Sequence, residues 1–329
     1  MKINTYSKLR EELHRRGLFT QNSSLSAALL VMEPAICAGS IYFLCRSEIL
    51  SVSYLFWLAV AGISMFRCFS LLHECGHRAM FRSQRSNTLA GYFLSAFCLV
   101  PFTPWRELHL QHHKWVGVID RDPTQAGLLK LREASFLKRQ AFRWVWWFCV
   151  PIPSIQLIFS VFWLHPFKKS TTRKSRNSGL LSLIVCLVPQ VTLGLTMGMS
   201  NWLSYILPAI IFYFFWFEAI NFTHHSGIFP FTSKTRSTPI PLHEQDSVSR
   251  TSSFSKLLST VLAYNFNFHT EHHYFPTVPW HNLPEVYSLV QATGDLGTYE
   301  DVPMLGFSAK LRLSDPVKIY IDPVKNLQV

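Results

Sequence analysis

Charged side chains are scarce in this sequence. Asp, Glu, Lys and Arg together make up 15% of 329 residues, against 49% hydrophobic residues. A soluble domain carries about 25% charged residues, so the deficit argues against a fully water-facing surface and towards a membrane. Cysteine is sparse as well. The seven cysteines form no C-x-x-C pair, and Cys37, Cys45, Cys68, Cys98, Cys149 and Cys186 lie in apolar stretches. They read as small core hydrophobes, which excludes a disulfide framework and a zinc ribbon. Internal repeats and low-complexity tracts are absent. No short apolar stretch precedes the first long one, and residues 1–26 are polar, so no cleavable signal is expected.

Positive charge, by contrast, is in excess. The formal net charge is +12, which in a soluble chain would suggest nucleic acid. Here the basic residues cluster beside apolar runs instead of forming a free basic face. They are a topology signal and a source of lipid-headgroup contacts, and no nucleic-acid partner is expected.

Four runs have close to the roughly 20 residues that a bilayer core requires. They are 27–45, 51–72, 179–199 and 202–220, the first carrying Glu33 and Pro34. Two further apolar stretches occupy 88–103 and 142–165, and "VPIPS" at 150–154 interrupts the second. The segment 73–178 is densely basic, "KKSTTRKSR" at 168–176 included, and residues 1–26 add Lys2, Lys8, Arg10, Arg15 and Arg16. On the opposite side, "RSEIL" and "GMSN" hold only Arg46. The positive-inside rule then puts both termini and all histidine-rich segments in the cytoplasm. For those segments to share one side, 179–199 and 202–220 must form a hairpin. By the same parity 142–165 lies in the interface or re-enters, and 88–103 does not cross singly. The expected fold is an all-α integral membrane protein with about four transmembrane helices in two hairpins, interfacial helices and a cytoplasmic histidine-rich cap. It forms a single domain, 1–329. Its parts are a basic cytoplasmic segment at 1–26, a histidine-rich core at 70–290 and a cytoplasmic tail, read as a small lobe, at 298–329.

Fourteen histidines are present, and their spacing is not random. "HECGH" places His73 and His77 four residues apart; "HLQHH" gives His109, His112 and His113; "HTEHH" gives His269, His272 and His273. Positions i, i+3 and i+4 share one helical face, so each cluster can present its imidazoles together. "NFTHHSG" adds His224 and His225 at the end of the last apolar run. HECGH alone fits the zinc-protease pattern H-E-x-x-H, with Glu74 as general base. A catalytic zinc takes three protein ligands and a water, which leaves most of the clustered histidines unexplained. Eight or nine imidazoles suit two metals with open positions, and imidazole by itself does not choose among iron, copper and zinc. A non-enzymatic metal carrier is the other alternative, but carriers place ligands near mid-bilayer, whereas these clusters sit at or beyond helix ends.

In this order and around hydrophobic hairpins, HECGH, WRELHLQHH and HTEHHYFP resemble the three histidine boxes of the membrane fatty acid desaturase and hydroxylase superfamily, over residues 70–290. "LVPFTPWRELHLQHHKWVGVIDRDP" and "NFHTEHHYFPTVPWHNLPEV" are similar to the second- and third-box regions of acyl-lipid desaturases. The first box has three residues between its histidines, where acyl-CoA desaturases have four. The third keeps His269, where front-end desaturases have glutamine. His-Pro-Gly-Gly is absent, so no fused cytochrome b5 domain is expected. The resemblance implies a di-iron centre (two Fe) with O2 as co-substrate, a lipid acyl substrate, and a separate electron donor, either ferredoxin or cytochrome b5 with its reductase. It implies an inner-membrane location in a bacterium and the endoplasmic reticulum in a eukaryote. The implied metal ligands are His73, His77, His109, His112, His113, His269, His272, His273 and one of His224 and His225. His224 stands six residues before Pro230, as in the H-x5-P of plant-type acyl-lipid enzymes, and is slightly preferred; Asn221 with His225 instead resembles the N-x3-H of acyl-CoA enzymes.

Desaturation and hydroxylation share this ligand set, and carotenoid ketolases, carotenoid hydroxylases and alkane hydroxylases share the superfamily. The second-box approach and HTEHHYFP favour acyl substrates. Ligating imidazoles ordinarily donate their other N–H to a carboxylate or carbonyl. Glu74, Glu107, Asp120, Asp122 and Glu271 are candidates for that duty or else solvated interfacial charges, and Asn265 is a candidate to hold a metal-bound water. Trp105, Trp115, Tyr274 and Trp280 are read as interfacial anchors, with lining of an acyl tunnel as the alternative. Gly76 inside a helix costs about 1 kcal/mol against alanine, which suggests that something packs closely against it.

Overall fold

The computed structural model describes residues 1–131, 133–228 and 230–321; part of the sequence-predicted tail, 322–329, lies outside them. Helix α1 spans Ile3–Arg15. The first long apolar run becomes α2, Ser23–Leu44, capped by Asn22, whose side chain accepts from the Leu25 N–H at 3.0 Å. α3, Val52–His77, starts where Ser51 accepts from the Tyr54 N–H at 3.1 Å, and ends at Arg78, whose φ of 60° is left-handed. It is long enough to cross a bilayer and carry HECGH on its final turns. α4, Gln84–Cys98, and α5, Phe102–Trp115, follow, with a 103° bend between them at the left-handed Leu99 and the prolyl Pro101. Likewise α6, Phe136–Trp147, and α7, Ile152–Trp163, meet at 115° across the Pro-rich break read from the sequence. Each bent pair is either a broken span or a re-entrant loop.

α8, Arg173–Met197, and α9, Met199–His225, complete a set of four helices long and apolar enough to span. Their outward faces agree. Val31, Phe56, Leu181, Ile184, Val191 and Leu195 are exposed, which water would penalise and lipid does not. The protein is a multi-pass membrane protein. Sequence adjacency did not foretell the packing. α3 is central, against α2, α4 and α9, while α8 packs on α4 and α5. Glu33, awkward in an apolar run, is fully buried and pairs with Arg67 at 2.6 Å and with the Tyr264 hydroxyl at 2.6 Å. A charge within a spanning helix is tolerated when it faces the bundle interior and is paired.

Beyond the spans lie α10, Lys256–Ala263, α11, His269–Tyr274, α12, Leu283–Ala292, and α13, Met304–Leu313. A short parallel pair joins β1, Thr251–Ser253, to β2, Asp301–Pro303. The described part of the tail, 298–321, packs back on the bundle: α13 lies on α9 and α6, and Tyr320 packs against Trp146 and Phe222. α1 closes the other side, burying Tyr6, Leu9 and Leu13 against Tyr274, Val278 and Val286.

Candidate metal centre

The end of α3, all of α5, the end of α9 and the short α11 meet at one end of the helical bundle, so the three histidine boxes share a side. Their ring nitrogens sort into two groups. His73, His77, His109, His113 and His272 form one; His112, His225, His269 and His273 form the other; within each group one nitrogen per ring lies within 4.8 Å of the rest. In the first, Nε2 of His109 is 2.9 Å from Nε2 of His77 and 3.0 Å from Nε2 of His113, which is itself 3.0 Å from Nε2 of His272. In the second, Nε2 of His269 is 2.8 Å from that of His225 and 3.1 Å from that of His273.

These contacts cannot all be hydrogen bonds. A ring nitrogen offers either one N–H or one in-plane lone pair, so a nitrogen touching two others satisfies one of them at best. The partners on the far side of the rings settle which it is. Nδ1 of His225 lies 2.8 Å from the Val248 carbonyl, which can only accept, so Nδ1 carries the proton and Nε2 is a bare lone pair. Nδ1 of His273 donates to Oε1 of Gln245 at 2.8 Å, and the Gln245 amide donates to the carbonyls of His113 at 2.9 Å and Ile240 at 3.1 Å, which fixes its orientation. Nδ1 of His112 meets Asp122 at 2.7 Å. Burial alone would raise Asp122, but the electrostatic pull of the adjoining His112 ring and hydrogen bonds from His112 and Thr124 hold its carboxyl below the usual range. Burial, aided by the surrounding imidazoles, pushes His269, His272 and His273 well below the ordinary histidine range. Neutral imidazoles with converging lone pairs are what a metal cation requires, and the residues present fit two such ions.

Asp122 is therefore the carboxylate that orients a ring. Asp122→Asn is expected to lower metal affinity about 10- to 100-fold, read by metal content after dialysis against graded chelator.

The other candidates divide. Glu74 lies 3.5 Å from Nδ1 of His73, and its other oxygen accepts from the Trp280 N–H at 2.9 Å. Glu271 is spent on Thr251 and Tyr299, although burial still pushes it up to about 7. Glu107 is half-buried and faces away, accepting from Ser175, with Nε2 of His165 3.5 Å distant. Asp120 binds Ser233. Asn265 accepts from Ser259 at 2.8 Å and donates to the Trp280 carbonyl at 3.2 Å, so its amide serves the chain. Between the two residues closing α9, the geometry brings His225 into a group and leaves out His224, which was slightly preferred from the sequence. His224 stacks on His269 at 4.0 Å, and neither of its ring nitrogens has a partner among the described residues.

The anchor reading fails for two of the aromatic residues. Trp105 and Tyr274 are buried, and Trp105 stacks on His109 at 4.5 Å. The close approach expected at Gly76 is that same ring: a Cβ there would lie 2.5 Å from Cζ3 of Trp105. Gln245 and Val248 were missed altogether, since a glutamine and a carbonyl 23 or more residues from their histidines leave no pattern in the sequence.

A cavity of about 170 Å³ opens against both groups, with His73, His109, His112, His225 and His269 in its lining. Phe69, Trp105, Phe162, Phe217 and Phe266 supply most of its apolar surface. Apolar side chains and imidazoles thus share one lining.

A membrane-embedded helical bundle with two histidine groups able to hold metal ions is the class that this fold and site define. The fatty acid desaturase family model matches residues 50–300. The chain belongs to that family and is an oxidoreductase, a fatty acyl desaturase of the membrane type. It is 25% identical over 248 residues to an sn-1 oleoyl-lipid 12-desaturase of Picosynechococcus, covering 73% of this chain and 70% of that one. A protein of the same description from Anabaena variabilis is 24% identical, over 97% of this chain and 88% of its own. The acyl-lipid omega-3 desaturase (cytochrome b5) of the endoplasmic reticulum of Arabidopsis thaliana is 26% identical, over 53% and 47%.

Proposed function

We propose that the protein is a di-iron, O2-dependent acyl-lipid desaturase, its two irons held by the five-histidine and four-histidine groups. The observation that carries this reading is the convergence of nine imidazoles on two points beside an apolar cavity. Removing two hydrogens from adjacent methylenes is an oxidation, so a redox-inert zinc is unsuited and iron is the metal assigned. When bound, the irons supply reduction of dioxygen: –CH2–CH2– + O2 + 2 electrons + 2 H+ gives –CH=CH– + 2 H2O.

The chain's own residues do the rest. Asp122, Gln245 and the Val248 carbonyl hold the outer ring nitrogens, so the inner ones stay deprotonated. Trp105 and Phe266 press the acyl chain towards the rings and keep bulk water away. The electrons come from a separate carrier. Similar proteins are named for ferredoxin in one case and cytochrome b5 in another, which supports a small soluble or membrane-tethered donor here. The basic segments around the histidine boxes support a cytoplasmic active side, with both termini there.

Expression in a host lacking desaturases, together with a competent donor, tests the reading by lipid mass spectrometry. New double bonds are expected; a gain of one oxygen would make it a hydroxylase, and no lipid change would refute it. Metal analysis of the purified protein is expected to give about two irons per chain. Chelation should abolish activity and re-addition of ferrous iron restore it, whereas one zinc and no iron would overturn the di-iron assignment.

A further inference from the structure

The turn that follows α5 orients a ligand histidine and also sends one side chain into the cavity. Asp122, on that turn, bonds Nδ1 of His112 at 2.7 Å, and its backbone carbonyl accepts from the Gln125 N–H at 3.1 Å. Gln125 is only 5% exposed and lines the cavity next to His112. Its Oε1 is buried with no hydrogen-bond partner among the described residues. Gln245, by contrast, is held by His273 and two carbonyls, and the Asn221 amide nitrogen donates to the Phe217 carbonyl at 2.8 Å.

A buried amide left unpaired is destabilising, and a plain hydrocarbon chain would leave it so. The cavity lining combines Phe69, Phe162 and Phe217 with the polar Thr124, Gln125 and Ser226. Since the amide oxygen and nitrogen of a glutamine can exchange places, either a ligand carbonyl or a ligand hydroxyl can meet it.

We propose that Gln125 is a specificity-determining residue whose amide binds an oxygen of the acyl substrate beside His112. The oxygen is the carbonyl of the acyl linkage or a hydroxyl on the chain. The bonded oxygen then sets which methylenes lie against the metal groups, so the carbon attacked is counted from that oxygen. This inference rests on the acyl-desaturase reading of the site.

The test uses the full-length, metal-loaded protein and three 18-carbon probes brominated at mid-chain. They are the methyl ester, the primary alcohol and the oxygen-free alkane, and binding is read as quenching of the emission that a Trp105→Phe variant lacks. The wild-type protein is expected to bind one oxygenated probe at least about fivefold more tightly than the alkane, the worth of one hydrogen bond. The ester arm would identify a linkage carbonyl and the alcohol arm a chain hydroxyl. Gln125→Leu should erase that preference by tightening alkane binding relative to the oxygenated probes, keep the metal content, and scatter the position of the new double bond in cellular lipids. Equal binding of all three probes by the wild type would overturn the proposal, as would a preference that survives in Gln125→Leu. Should the wild type form no double bond while its probe preference holds, the desaturase reading fails and the oxygen contact stands.

Discussion

A His225→Ala variant is expected to lose desaturase activity by more than about 100-fold and to retain roughly one metal of two, whereas His224→Phe should keep both metals and activity within about threefold. The two residues are neighbours at the end of α9, and the prediction separates them by direction alone. Nε2 of His225 lies 2.8 Å from Nε2 of His269, with its own Nδ1 proton tied to the Val248 carbonyl. It faces the four-histidine group, which cannot close around a cation with three rings as it does with four. His224 turns the other way and lies flat on His269, ring planes 9° apart. A phenyl ring preserves that stack, and no hydrogen bond among the described residues is lost with the imidazole nitrogens. Metal-to-protein ratios and product yield in the same preparations decide the matter. Equal loss in both variants would mean that the stack, not the ligand, is what matters here.

The second large effect is expected at Gly76. A Gly76→Leu substitution drives a side chain into Trp105, whose Cζ3 would lie 2.5 Å from the first added carbon. Overpacking of this kind costs about 1–3 kcal/mol, and the helix interior returns little of it. The consequence does not stay local. Trp105 stacks on His109 with planes 18° apart and also abuts His73 and Phe69. Displacing it moves one ligand of the five-histidine group and narrows the cavity. The expected outcome is a lower thermal midpoint together with metal content reduced about tenfold, beyond what lost stability alone explains. An unaffected metal content in Gly76→Leu would show that Trp105 does not position His109.

Several features were legible before any coordinates. The four spans declared themselves by length and apolarity, and each helix found falls within a few residues of the run that announced it. The interruption at 150–154 marked a sharp bend because proline both removes an N–H and crowds the preceding turn. Asp122 was among the candidates to hold a ring, and it does. Glu107 and Asp120 were equally close in sequence and bond Ser175 and Ser233 instead, because proximity along a chain says nothing about which side of a helix or turn a group occupies. Trp105 and Tyr274 read as interfacial anchors, since aromatic residues near a membrane edge ordinarily are. Their burial follows from where α5 and α11 end up, under α1, α3 and α12.

What the sequence alone determined is local: which stretches are apolar enough to leave water, and which histidines share a helical face. At 3.6 residues per turn, His109 and His113 differ by about 40° in direction, and so do His269 and His273, while His112 stands about 100° from His113. The i, i+3, i+4 spacing was expected to present each cluster's imidazoles together, and the structure instead divides both H-x2-H-H clusters along these offsets. Only the tertiary structure decided how they combine. It sends His109 and His113 to join His73, His77 and His272, and it sends His112 to join His225, His269 and His273. That exchange between boxes depends on the angle at which α5 and α11 cross the ends of α3 and α9. Such angles are set by long-range packing, by the ring of Trp105 against Gly76 and by Gln245 bridging the second and third boxes, and no spacing rule contains them.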